Sequence, residues 1–262
     1  QRPAFLVATD PADDGGFLRE GGIAMGWRQQ IGAWGLTVSA DRAGVARTGP
    51  RLQGRAPDLA SRYATVRRVG VAIDRATGPV AVSLGLGWQA EDRTILGARL
   101  LDGLGDGADT LFLDVAGRWQ IGQAWMVGAA WREGRTRLRK GGILTGASAI
   151  ASNGWAMDVT RTGLFAADDH LSLRLSQPLR VSRGGLDLTL PTAWDYASGQ
   201  ATHSVRSLAL SPRGRELTGE VAWRGGVLGG TAVASLFYRR NPGHFAAAPA
   251  DMGAGLAWSA EF

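Results

Sequence analysis

The stretch Val80-Ala-Val-Ser-Leu-Gly-Leu-Gly-Trp-Gln89 decides how this chain folds. Val80, Val82, Leu84, Leu86 and Trp88 take every second position, and Ala81, Ser83, Gly85, Gly87 and Gln89 fill the places between. Side chains alternate across a β-strand, so the segment has one greasy face and one face of small or polar groups. A helix would repeat its apolar residues at spacings of three and four, and that period is absent here.

The alternation continues in both directions from this stretch. Ile23, Met25 and Trp27 alternate with Ala24, Gly26 and Arg28, and Trp34, Leu36 and Val38 with Gly35, Thr37 and Ser39. Leu111, Leu113, Val115 and Trp119 oppose Thr110, Asp114 and Arg118; Leu171, Leu173 and Leu175 oppose Ser172, Arg174 and Ser176. Leu186, Leu188 and Leu190 oppose Asp187 and Thr189; Leu217, Val221 and Trp223 oppose Thr218, Glu220 and Arg224. Candidate strands centre near residues 6, 23, 36, 69, 84, 114, 128, 159, 176, 191, 207, 220, 233 and 257, which makes fourteen. Ala4–Thr9 and Val205–Leu210 are the weakest, and without them twelve remain.

The connections alternate too. Short turns fall near residues 29–32, 74–78, 120–123, 166–170, 197–202 and 224–226. Longer polar or Gly-rich connections occupy 40–62, 90–108, 136–153 and 239–250, with tighter ones near 182–185 and 211–215 on the same side. Short turns on one side and long loops on the other are the habit of outer-membrane barrels. Residues 1–262 read as one domain, with no linker or composition shift.

Composition narrows the class. Of 262 residues 45% are hydrophobic, and none is cysteine, which rules out disulfides and thiolate metal sites. No run approaches the 18 apolar residues of a spanning helix. The opening Gln1-Arg2-Pro3 carries no signal segment, so the chain reads as a mature or excised piece. Lys140 is the sole lysine among 29 basic residues, and the arginines are spread along the whole chain. A net charge of +6 in that form does not make a nucleic-acid surface.

A soluble β-sandwich would alternate as well, but it would place charge on its outer face. Here the non-apolar face is mostly Gly, Ala, Ser and Thr, as a narrow polar lumen would be. The aromatics also gather at segment ends: Trp27, Trp34, Trp119, Trp125, Trp194 and Trp223 towards the short turns, and Trp88, Trp131, Trp155 and Tyr238 towards the long loops. Two such girdles mark membrane interfaces. The reading is therefore all-β: a transmembrane antiparallel up-and-down β-barrel of 12 or 14 strands, with both termini periplasmic.

Met252, Ala254, Leu256, Trp258, Ala260 and Phe262 alternate to an aromatic end. This resembles the last strand of outer-membrane barrels, and the resemblance implies an assembly signal at Leu256, Trp258 and Phe262, read by the barrel assembly machinery. It also implies location in a Gram-negative outer membrane.

From about Thr94 onward further stretches occur in order: Leu96-Gly-Ala-Arg99, Thr110-Leu-Phe-Leu-Asp114, Thr162-Gly-Leu-Phe165 and Asp169-His-Leu-Ser-Leu-Arg174. Gln177-Pro-Leu-Arg180, Gly185-Leu-Asp-Leu-Thr-Leu-Pro191, Pro212-Arg-Gly-Arg-Glu216 and Arg239-Arg-Asn-Pro-Gly-His244 follow. Together they resemble the carboxy-terminal translocator domain of autotransporters with subtilisin-like serine protease passengers. The resemblance implies type V secretion, in which the barrel helps carry an upstream passenger to the cell surface. Such domains usually have twelve strands and a helix in the pore, and residues 1–20 do not read as that helix.

No protease motif is present, so the chain itself is expected to be non-enzymatic, and no cofactor or metal is implied. Asp114, Asp158, Asp187 and Glu220 are expected to face the lumen, where they either assist passenger release or pair with Arg28, Arg68, Arg118, Arg174 and Arg224. Arg135, Arg137, Arg139 and Lys140 rise to the outer surface, where lipopolysaccharide phosphates would meet them. The alternatives are a stand-alone channel or anchor and a rim hydrolase using Asp106, Asp109, His244 and Asp251. Asp102–Asp109 reads as a flexible loop or a weak calcium site. His170, His203 and His244 lack metal-ligand spacing.

Overall fold

The computed structural model describes residues 5–11, 19–46, 63–99 and 104–260. The strands are β1 (Arg19–Ile31), β2 (Trp34–Ala46), β3 (Tyr63–Thr77), β4 (Val80–Asp92), β5 (Thr94–Ile95), β6 (Ala98–Arg99) and β7 (Gly107–Ile121). They continue with β8 (Trp125–Leu138), β9 (Ala149–Thr162), β10 (His170–Asp195), β11 (Gln200–Ala209), β12 (Leu217–Val227), β13 (Gly230–Arg240) and β14 (Asp251–Ser259). The short β5–β6 ladder stands apart, and the other twelve strands form one antiparallel up-and-down sheet.

Its wall runs β1-β2-β3-β4-β7-β8-β9-β10-β12-β13-β14, with β11 hanging from β10. Because neighbours alternate in direction, the eleven wall strands leave β1 and β14 running the same way at the two free edges. Among the described residues those edges do not pair with one another.

Tight turns join strands at one end of the sheet. In the link from Val227 to Gly230, Leu228 and Gly229 have φ of 51° and 73°. Two consecutive left-handed residues match the right-handed strand twist, which is why a two-residue loop suffices there.

Register sorts the two faces. Trp27, Val38, Val71, Leu86 and Leu113 lie side by side on one face, as do Leu173, Val221, Leu236 and Ala254. That apolar face is exposed: Ile23 is 75% accessible, Leu86 55% and Leu256 81%. The opposite face is polar yet buried, with Gln89, Thr110, Ser152 and Glu220 at 0–1%. The sheet therefore curls around its polar face, the reverse of a soluble domain. At the long-loop end of that polar face Ile95, Ala108, Leu138, Leu144, Ile150 and Leu186 gather into a small apolar core.

Two of the fourteen expected strands take other forms. Phe5–Thr9, the described part of Ala4–Thr9, forms no ladder; its amides bond to a side chain on the polar face. The segments centred on 176 and 191 are one 26-residue strand, β10. It pairs with β12 over His170–Ser176, follows β9 as far as Gly185, then pairs with β11 from Gly185 to Asp195. Residues 182–185 are thus no turn. Gly184 and Gly185 let the strand pass against its neighbours, since a Cβ at either would come within 2.2 Å of a backbone carbonyl oxygen.

The turn at Tyr196–Gly199 consequently lies at the long-loop end, on a projecting hairpin. Trp194 rides on it and leaves the short-turn group, where Trp34, Trp119, Trp125 and Trp223 remain beside the turns.

Candidate functional site

At mid-height on the polar face, Asp158, Arg174 and Glu220 are direct cross-strand partners on β9, β10 and β12. Strand alternation puts all three side chains inside, between outward-facing Val159, Leu173, Leu175 and Val221. Arg174 Nη2 donates to Asp158 Oδ1 at 2.8 Å. Glu220 is not spent on Arg174 but on main chain. Its Oε1 accepts the Leu6 amide at 2.7 Å, and its Oε2 accepts those of Val7 at 2.9 Å and Ala8 at 2.6 Å.

Arg174 holds the other side of the same segment. Its Nη1 donates to the Ala8 carbonyl at 3.3 Å, and its guanidinium lies 4.3 Å from the centre of the Phe5 ring. Room for the segment comes from glycines on the wall. A Cβ at Gly255 would come within 2.7 Å of Leu6 Cδ1, and one at Gly154 within 3.2 Å of Pro11 Cβ.

Elsewhere on the polar face several charges pair. Buried Arg132 donates to Asp114 at 2.5 and 2.9 Å and lies 4.8 Å over the Phe112 ring. Arg28 makes a two-pronged contact with Asp74 at 2.7 Å, and Arg239 bonds Asp251. Arg68 donates to Gln89, and Gln89 to Glu91, whose carboxylate then accepts the Leu96 and Gly97 amides.

Of the expected lumen residues, Arg28, Arg68, Arg118, Arg174 and Arg224 all fall on the polar face by register. So do Asp114, Asp158 and Glu220. Asp187 does not: it sits on the projecting hairpin, where it accepts the Ser207 hydroxyl, because β10 runs straight past the expected turn. Every carboxylate of the expected release set already has a hydrogen-bond partner.

The expected surface cations divide. Arg135 and Arg137 are exposed on the outward face, near Arg183 and above Trp88. Lys140 is exposed beyond the strand end, whereas Arg139 is tied to Asp109 and Asp92. The rim residues do not converge. Asp109 pairs with Arg139, Asp251 with Arg239, and His244 bonds backbone atoms of Glu216 and Leu179. Asp106 lies against Gly141. Among the described residues no three His, Asp or Glu side chains gather as metal ligands.

Leu256 and Trp258 face outward on β14, while Asp102 and Phe262 lie outside the described residues. No family model, curated protein or solved structure matches the chain.

Sequence reasoning missed the role of Arg132. Strand parity carried the signal, since Arg132 shares a face with Gly134 and Thr136 while Arg135 and Arg137 take the other. It also missed Asp169, a buried carboxylate in the β9–β10 turn that accepts the Leu164 and Phe165 amides and the Trp223 indole. Burial alone would raise its pKa, but those hydrogen bonds outweigh it and hold the carboxyl below its ordinary value.

Proposed function

We propose that the chain is a transmembrane barrel of a Gram-negative outer membrane, acting as the translocator domain of an autotransporter. The observation that carries the reading is the inverted sheet: an exposed apolar face, and a buried polar face occupied by a bent segment of chain. From Val80 to Trp88 the outward face is apolar at every second position. That length fits the roughly 9–11 residues of a tilted strand crossing a bilayer. Exposed Trp119, Trp125 and Trp34 at one end and Trp88, Trp131 and Tyr238 farther along would sit at the two interfaces.

The barrel is non-enzymatic in this reading, and any protease chemistry belongs to an upstream subtilisin-like passenger. Arg135, Arg137 and Lys140 meet lipopolysaccharide phosphates. Leu256, Trp258 and Phe262 present the last strand to the assembly machinery. Lumen arginines held by Asp74, Asp114 and Asp158 do not favour the anion-selective channel that the stand-alone alternative would require.

Two measurements test the proposal. Unheated and boiled samples of outer-membrane fractions should migrate differently on denaturing gels, as a closed barrel does. Blots of the primary translation product, with secreted proteases inhibited, should show a precursor far heavier than 27.6 kDa. A heat-modifiable band without such a precursor would leave a stand-alone barrel, and no heat-modifiable band would remove the membrane reading altogether.

A further inference from the structure

We propose that the Asp158–Arg174–Glu220 row is a binding site for polypeptide main chain, of which Phe5–Pro11 is the bound example. It rests on the lumen reading above but not on the identity of any passenger.

A carboxylate facing three successive amides is the mirror of an anion nest: the peptide supplies the concave N–H cup and the wall supplies the anion. The Leu6, Val7 and Ala8 amides all converge on Glu220, and the Ala8 carbonyl returns a bond to Arg174. Every hydrogen bond between the row and the segment uses a backbone atom of the segment: three amides, which any residue except proline offers, and one carbonyl. Side-chain identity enters only through the Phe5 ring over Arg174 and through the glycine hollows at Gly154 and Gly255. The site therefore reads chain geometry and leaves sequence almost unread.

Burial makes it effective. Glu220 is 1% exposed and Ala8 3%, so these charge-assisted bonds are made away from water, where they are strong. Asp158 has a positioning role: by taking Arg174 Nη2 it aims the other end of the guanidinium at the Ala8 carbonyl. Among the described residues no side chain of the wall bonds the Glu220 carboxylate, so a main chain is the ligand that satisfies it.

The chain lacks cysteine, which makes the test clean. Val7→Cys in the full chain, folded in detergent micelles, is labelled with a membrane-impermeant maleimide, and Ser198→Cys at the exposed hairpin tip gives the reference rate. The expected result is slow labelling of Val7→Cys. It should accelerate about tenfold or more in Glu220→Gln, since a neutral amide cannot accept three bonds as a carboxylate does. Ala8→Pro, which deletes one amide without touching the wall, should accelerate it too, so a misfolded Glu220→Gln chain cannot decide the matter. Replacing Leu6 with Ser should leave the slow rate within about twofold if recognition is of backbone. Fast labelling in the parent chain, or rates unmoved by both Glu220→Gln and Ala8→Pro, would overturn the proposal. Heat-modifiable migration of the same samples reports separately on the barrel, so the two readings fail independently.

Discussion

His244 and Glu216 lock two loops together. His244 Nδ1 accepts the Glu216 amide at 2.9 Å, and the Glu216 carboxylate accepts the Gly243 amide at 2.6 Å. Because Nδ1 is an acceptor, the ring proton lies on Nε2, which donates to the Leu179 carbonyl at 3.2 Å. Arg180 reinforces the lock by donating to the Pro212 and Gly214 carbonyls. Gly214 cannot carry a side chain there, since its Cβ would lie 2.4 Å from the His244 carbonyl oxygen.

This lock should open in acid. Burial chiefly, with Arg180 and Arg215, pulls the His244 pKa below the usual imidazole value of about 6.5, against the Leu179 bond and Glu216. The unfolded chain then binds the proton more readily than the folded one. The contribution is complete above the unfolded value and is lost as pH falls through the depressed folded value. Hydrogen exchange at the Glu216 amide, corrected for intrinsic rate, should show protection at neutral pH that disappears in acid. His244→Ala should lack protection at either pH.

The Arg132–Asp114 pair gives a second expectation. Asp114→Ala removes the carboxylate from a buried guanidinium and should cost about 3–5 kcal/mol. Arg132→Met with Asp114→Ala should recover part of that loss, because the buried charge goes with its partner. Urea unfolding of the micelle-bound chain measures both, and a double variant weaker than Asp114→Ala alone would contradict the account.

The projecting hairpin should be dispensable for folding. Beyond Gly185 the outer half of β10 pairs with β11, and its Leu190 lies opposite Ser204. Replacing residues 191–203 with an Asn-Gly turn removes Trp194 and Tyr196, which is 91% exposed, and leaves the wall intact. The expected change in Tm is under about 4 °C, the shift of one kcal/mol in a domain of this size.

Surface arginines should separate into two kinds. Alanine at Arg135 and Arg137 should weaken the thermal stabilisation that added lipopolysaccharide provides, with little effect in its absence. Arg139→Ala should lower Tm without lipopolysaccharide, because Asp109 and Asp92 lose their cation. Equal behaviour of both variants would remove the lipid-contact role.

The faces of the sheet were legible because period two is a local property: Val80–Gln89 fixes which side chains share a surface whatever surrounds them. The end of β10 was not. Gly184-Gly185 has the composition of a turn, and only the neighbours Ala149 and Leu208 show that the glycines serve close passage. Phe5–Thr9 has the composition of a strand, and what diverts it is Glu220, more than two hundred residues away. Such long-range substitution of a side chain for a ladder partner leaves no trace in spacing.

Three of the short stretches quoted from the sequence gain a physical meaning as well. Leu96-Gly97 is pinned by Glu91, Leu164-Phe165 by Asp169, and Gly243-His244 by Glu216. The first two are loops stapled by a carboxylate to their own main chain, and the third is held by a carboxylate from a neighbouring loop. The pattern visible in sequence was a set of fasteners, whereas the Asp158–Arg174–Glu220 row is dispersed over three strands and has no contiguous signature.

The odd wall has a consequence for closure. Since β1 and β14 point the same way, bringing them together directly would require a parallel ladder with slanted bonds, which is slightly less stable per residue than an antiparallel one. One additional strand running from the short-turn end towards the long loops would meet both margins antiparallel, and the backbone groups of both would be satisfied at once. The seam thus has a polarity set by backbone alone: it favours a chain in one direction over the reverse, before any side chain is consulted.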